Sequence, residues 1–194
     1  MLMNDRWIQQ KAEAGMIQPY CTELVRLTDE NWKVISYGQS SYGYDIRLSP
    51  HDFRIFQRIP GSIIDPKNFD RNTLAQAELH DADNGKYFIL PANSYGLGVA
   101  VERLSMPDNA AALAIGKSTY ARVGVIANLT PAEPGWRGHL TLELSNSSSS
   151  DVRIYANEGI CQLIFFTGEP PQTTYHDRQG KYQDQGHEVV PARV

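Results

Sequence analysis

From residue 42 onward the chain runs in short stretches of alternating apolar and polar residues, cut by Gly, Pro and Asn. A period of two puts one side of each stretch in a core and the other outside, which is the pattern of strands. "YGYDIRLS" starts at Tyr42. In "AELHDADNGKYFILP", Asn84-Gly85 reads as a two-residue hairpin turn with a strand on each side. "YGLGVAVERL" sets Leu97, Val99 and Val101 on one face, and "DVRIYANEGICQLIFFTG" gives two strands around a turn at Asn157 to Gly159. One helix is plain: Asn4 or Asp5 caps it and Gly15 stops it. Many short strands with this punctuation predict a mainly β barrel or sandwich. The 194 residues suffice for one domain with a real core.

Composition narrows the function classes. Hydrophobic residues at 41% and charged ones at 21% mark a globular chain. A net charge of −4 argues against non-specific nucleic-acid binding, which needs a broad basic surface, but leaves room for a local basic pocket. No apolar run approaches the roughly 20 residues of a membrane span. "MLMNDRWIQQKAEAG" is amphipathic and lacks the apolar centre of a signal peptide. Cys21 and Cys161, in no Cys-x-x-Cys pair, read as reduced thiols of a cytoplasmic protein.

Two stretches carry candidate chemistry. In "HLTLELSN", residues 139–146, Leu140, Leu142 and Leu144 alternate, and Glu143 lies on the other face beside Thr141 and Ser145. It is either a solvated surface residue or a carboxylate held in a pocket. In "AIGKSTYARVGV", residues 114–125, an apolar run meets Gly116, Lys117, Ser118 and Thr119, with Arg122 following. Backbone N–H groups, hydroxyls and a lysine at such a turn can cradle phosphate oxygens. Only one glycine precedes Lys117, so this is not a P-loop. "SNSSSSD" reads as a loop, and the polar stretch from His176 to Val194 as a loose tail or as a flap over a ligand.

Taken in order, "YGYDIRLS", "GKSTYARVGV", "EPGWRGHLTLELSN", "YANEGICQLIFF" and "YHDRQGKYQDQG" resemble the motifs of the dCTP deaminase family, within the trimeric dUTPase-like superfamily. The resemblance spans nearly the whole chain. It implies a distorted β-barrel or jelly-roll of the dUTPase-like (β-clip) type, with a short N-terminal helix and few others. It implies a single domain over residues 1–194, whose last segment, about 172–194, is a flexible nucleotide-covering tail. It further implies a homotrimer with active sites between subunits, hydrolysis of dCTP to dUTP and ammonia, and Mg2+ carried by the triphosphate. dTTP is a possible inhibitor by the same likeness.

By that resemblance Glu143 matches the general base and acid, and Arg122 and Ser118 match residues at the reacting centre. Lys117 takes a position where many members carry arginine, which implies a triphosphate contact. Thr119, Tyr120 and Ala121 complete that motif, and Thr141 and Leu142 flank the base through backbone groups. The carbonyl of Pro131 is matched to the water site. Tyr175, Lys181 and Gln185 match the segment that closes on sugar and phosphates. Gln162, inside an apolar strand, needs a partner and is either structural or a ligand contact. Glu133 is either a sugar or loop contact or a surface residue.

Nucleobase deaminases of another kind hold zinc through His-x-Glu and Pro-Cys-x-x-Cys. The five histidines and two cysteines here show no such spacing, so no zinc is expected, at His139 or elsewhere. Three other activities fit the same frame: a dUTPase, a bifunctional enzyme forming dUMP, and a silent nucleotide-binding regulator. "TPAEPGW" and the glycine-poor "GKYQDQG" differ from the dUTPase pattern, and a regulator has no need of Glu143, Arg122 and Ser118 together.

Overall fold

The computed structural model describes residues 1–194. The chain opens with α1 (Asp5–Glu13), followed by β1 (Ile17–Gln18), β2 (Leu24–Leu27), β3 (Lys33–Ser40) and the long β4 (Gly43–Phe56). Next come β5 (Leu74–Gln76), β6 (His80–Ala82), β7 (Gly85–Leu90), β8 (Tyr95–Ser105) and β9 (Ala110–Gly116). One helical turn, α2 (Ser118–Ala121), leads into β10 (Val125–Ala127), β11 (Thr130–Ala132), β12 (Arg137–Asn146), β13 (Val152–Tyr155) and β14 (Gly159–Thr167). The expected mainly β architecture is what forms.

An 11-stranded sheet runs β10-β12-β8-β4-β14-β9-β11, with β1, β2, β3 and β5 attached beside it. β4 makes this sheet curl. Its first half pairs with β14 and its second half with β8 and β5, across a register shift between Leu48 and Phe53. A second sheet, β13-β7-β6, closes over the core. Phe53 of β4 stacks on Phe88 of β7 at 5.0 Å between centroids, which locks the two sheets together. Gly98 on β8 makes room beneath: a Cβ there would lie 2.5 Å from Leu48 Cδ1.

Local signals mostly act as read. The Asn4 side chain accepts from Trp7 N at 3.2 Å, and Gly15 beyond the helix takes φ +99°. Ile8 and Ala12 face the core. Leu140, Leu142 and Leu144 are all buried. Two readings need correction. Ala82 pairs with Gly85, so the hairpin loop is Asp83-Asn84, one residue earlier than expected, and Gly85 opens the strand at φ +119°. On β8, Leu97 and Val99 are buried but Val101 is only half-buried, while Ala100, Glu102 and Leu104 on the other face are buried too. Both faces of β8 are covered, because Val189 of the C-terminal segment packs on Leu97 and Val99.

The segment from residue 50 to 76 carries none of the motifs quoted above. It supplies Phe56 and Phe69, whose rings meet edge-on at 6.0 Å, and Phe56 also meets Tyr95 at 5.3 Å. These three rings wall the cavity described next. No helix is long and apolar enough to cross a membrane.

Candidate active site

A cavity of about 640 Å³ lies on the outer side of β12. That volume suits a nucleotide-sized ligand. Leu140, Thr141 and Glu143 form its floor, Thr130 and Pro131 one flank, and the C-terminal segment its roof.

Glu143 enters the cavity half-buried, and Thr130 Oγ1 donates to its Oε2 at 2.7 Å. Burial raises the carboxyl above the ordinary glutamate range, and the Thr130 bond pulls part of the way back. Glu143 has no cationic partner in its own chain. Tyr95 stands close by: burial, then the Glu143 charge, raise its phenol, which accepts from Asn128 Nδ2 at 2.9 Å. Asn128 N in turn donates to Glu143 O at 2.9 Å, so the β10–β11 connection is tied to the strand that carries the carboxylate.

The roof is fastened to the start of β12. Trp136 Nε1 donates to Tyr182 O at 2.7 Å, Arg137 pairs with Asp184 at 3.1 Å, and His139 N donates to Gln185 O at 3.1 Å. Gly138, at φ +140°, lets Gln185 approach: a Cβ would fall 2.6 Å from Gln185 N. Tyr182 N donates to the Tyr175 hydroxyl at 3.0 Å, and the Arg178 guanidinium lies over the Tyr175 ring, 5.0 Å from its centroid, while pairing with Glu133. Thr141 Oγ1 accepts from Val190 N at 3.1 Å. In this structure residues between Tyr175 and Val190 lie over the cavity and bond to the barrel at these points.

A family description reading "dCTP deaminase-like" matches residues 3–168. The chain is 46% identical over 191 residues to a dCTP deaminase of Acidobacterium capsulatum, covering 98% of both chains. It is 47% identical over 195 residues to one of Gemmatimonas aurantiaca, covering 100% of this chain and 99% of that one. The chain belongs to the dCTP deaminase family. The fold is similar to that of a 2'-deoxycytidine 5'-triphosphate deaminase from Agrobacterium tumefaciens, at TM-score 0.57 and 17% identity. That likeness covers 86% of this chain and about half of the other, 48%.

Among the residues matched to the deaminase motifs, the cavity gathers Glu143, Thr141, Tyr175, Lys181 and Gln185, with Pro131 and Glu133 at its edge. It does not gather the α2 residues. Ser118, Thr119, Ala121 and Arg122 are exposed elsewhere on the chain, and Arg122 Nη1 donates to Ser118 O at 3.0 Å. Tyr120 is buried, its hydroxyl accepting from Tyr155 N at 2.8 Å, so it offers a ligand only its backbone. Leu142 is likewise a core side chain. The Lys117 ammonium, matched to a triphosphate contact, turns inward to Asp45 and Ser36. Gln162 sits opposite Asp45 in the β14–β4 register, and its Nε2 donates to Ser40 Oγ at 3.3 Å, a partner inside the fold.

His139 stacks on His187 at 4.5 Å, with His51 edge-on to His187 at 5.0 Å. No three His, Cys, Asp or Glu side chains converge closely enough to hold a metal ion. The motifs alone did not single out Thr130, Tyr95, Asn128 or the Phe56–Phe69 wall. Thr130 opens "TPAEPGW", but nothing in its spacing points to Glu143.

Proposed function

We propose that the chain is a dCTP deaminase that converts dCTP and water to dUTP and ammonia, with Glu143 carrying the proton. The observation that bears most weight is Glu143 itself. It is a carboxylate on a strand face, half-buried at the floor of a nucleotide-sized cavity and held by Thr130. Its raised pKa makes it a better proton acceptor than a free glutamate and lets it return the proton. Water attacks C4 of cytosine as Glu143 takes its proton. Glu143 delivers that proton to N3; it then takes the proton of the new C4 hydroxyl and passes it to the C4 amine, so that C4=O forms as the C4–N bond breaks and ammonia leaves.

The cavity supports this assignment of parts. Phe56, Phe69 and Tyr95 offer an apolar wall against which a pyrimidine and deoxyribose lose water. Lys181 and Arg178 place positive charge at the roof, where a triphosphate with its Mg2+ would lie, and Tyr175 and Gln185 close over it. The donor set around Glu143 is hydroxyl and amide, without the His and Cys of a zinc deaminase, so the reaction is assigned as zinc-independent.

In this reading the enzyme is a homotrimer. Ser118 and Arg122 are exposed away from their own cavity, and Val123, Ile126 and Leu129 beside them are exposed apolar side chains. A neighbouring copy would cover those side chains and receive Arg122 near its Glu143, where a guanidinium favours the ionised base. dTTP, sharing the sugar and triphosphate, is a candidate inhibitor of the same cavity. The site of action is assigned to the cytoplasm, where free nucleotides and reduced thiols such as Cys21 and Cys161 belong.

Incubation with dCTP and Mg2+, assayed for ammonia and pyrophosphate, tests the reading. Ammonia alone is expected. Ammonia and pyrophosphate together would make the protein a bifunctional enzyme; in a parallel incubation with dUTP, pyrophosphate without any ammonia from dCTP would make it a dUTPase, and no product from either nucleotide a nucleotide-binding regulator.

A further inference from the structure

Tyr95 carries more than the apolar wall needs. It opens β8, two residues before Leu97, and Leu97 is the cross-strand partner of Glu143. Residues two apart on a strand share a face, so Tyr95 and Glu143 are diagonal neighbours, a spacing within reach of long side chains. Both line the cavity. Phe56, meeting the Tyr95 ring at 5.3 Å and an interplanar angle of 60°, holds the ring. Asn128 Nδ2, donating at 2.9 Å, holds the hydroxyl oxygen.

That bond uses the phenol as an acceptor and leaves its own proton without an acceptor in the chain. Glu143 has the complementary need. Thr130 donates to Oε2, which leaves Oε1 without a side-chain partner. The two groups make no direct hydrogen bond, yet Glu143 is the charged group whose field reaches the phenol. A donor and an acceptor that share a cavity without touching are a seat for a bridging water. Such a water donates one O–H to Glu143 and accepts from the phenol, and its second lone pair is then directed away from both.

We propose that the Tyr95 hydroxyl is a further catalytic group: it donates to the attacking water that Glu143 deprotonates, and so aims the water's free lone pair at C4 of cytosine. This deepens the deaminase reading and rests on it. Tyr95 gives up no proton. The water's proton goes to Glu143 as the C4–O bond forms, and the phenol O–H stays intact throughout. Burial and the neighbouring carboxylate keep that O–H protonated at working pH.

The test uses the full chain in its assembled form, as Y95F and with 3,5-difluorotyrosine in place of Tyr95. The readouts are ammonia release from dCTP across pH and calorimetric binding of dUTP. Losing one neutral hydrogen bond that aligns a reactant should lower kcat of Y95F roughly tenfold. KM for dCTP and Kd for dUTP should stay within about twofold. The acid limb of kcat/KM should not move, because Glu143 keeps its bond from Thr130. The fluorinated ring keeps its shape while its phenol ionises nearer neutrality. Its kcat should therefore acquire an alkaline limb that neither the unaltered chain nor Y95F has.

Unaltered kcat in Y95F overturns the proposal. So does a Y95F protein whose KM and Kd rise while kcat holds, since that is a substrate contact. An acid limb displaced upward in Y95F overturns it too, since that is a direct bond to Glu143. If Y95F does not fold, the fluorinated protein carries the decision, and a kcat profile without the alkaline limb overturns the proposal. Absence of ammonia from the unaltered chain would sink the deaminase reading as well, whereas the variant pattern sinks this proposal alone.

Discussion

At Glu143, burial and charge pull in opposite directions. Its folded pKa is raised by burial, so the stability it lends is fully present below the unfolded value and is lost as pH rises through the folded one. At neutral pH the ionised side chain therefore costs stability. Glu143→Gln should raise Tm at pH 7 while lowering kcat by about a thousandfold, within the range for a lost general base. Calorimetry and ammonia release on the same preparation check both halves. The acid limb of kcat/KM should lie above the ordinary glutamate value of about 4.3. Thr130→Val removes the one side-chain donor to the carboxylate, so that limb should move to still higher pH and kcat should fall about tenfold. The alternation of Leu140, Leu142 and Leu144 made the facing of Glu143 legible. Thr130 was not, because the contact forms across a turn and leaves no period in the sequence.

Among elements, the C-terminal segment departs furthest from what its composition suggests. A polar, Gly-containing stretch with no periodicity gives no sign that it will be roofed onto β12, since its bonds join single side chains and backbone groups to partners far along the chain, such as Trp136 Nε1 to Tyr182 O and Val190 N to Thr141 Oγ1. Gly138 is the sequence residue on which that seat depends. Gly138→Ala combines a strained φ, at a cost on the order of 1–3 kcal/mol, with a clash against Gln185. It should raise KM for dCTP several-fold and expose the segment to proteolysis. The seat should also respond to acid. His139 and His187 have pKa values lowered by burial; Arg103 adds to the effect on His139, and His139 and His51 add to that on His187. A base held below its unfolded pKa, about 6.5, stabilises the seated form less as pH falls through that value. Cleavage within residues 175–190 should therefore quicken between about pH 7 and 5, and His187→Asn should flatten that response. The strands themselves were well foretold. β8 was the exception, because a core can be read from one chain segment but the cover on its second face came from Val189, far along the sequence.

On the scale of the whole molecule, the β architecture follows from the spacing of turns. Its curl does not, because that depends on where β4 changes partners. The residues assigned to one reaction are also split: Glu143 faces the cavity, and Ser118 and Arg122 face away from it. A mixture of two inactive proteins, Glu143→Gln and Arg122→Ala, co-folded so that copies exchange, should recover ammonia release through sites that draw one intact residue from each. No recovery would place the whole reaction within a single copy. Because Glu143 has no cation of its own chain, a lone polypeptide is expected to be well folded yet chemically idle. Specific activity should then fade on dilution below the assembly's dissociation constant, with the circular dichroism spectrum unchanged.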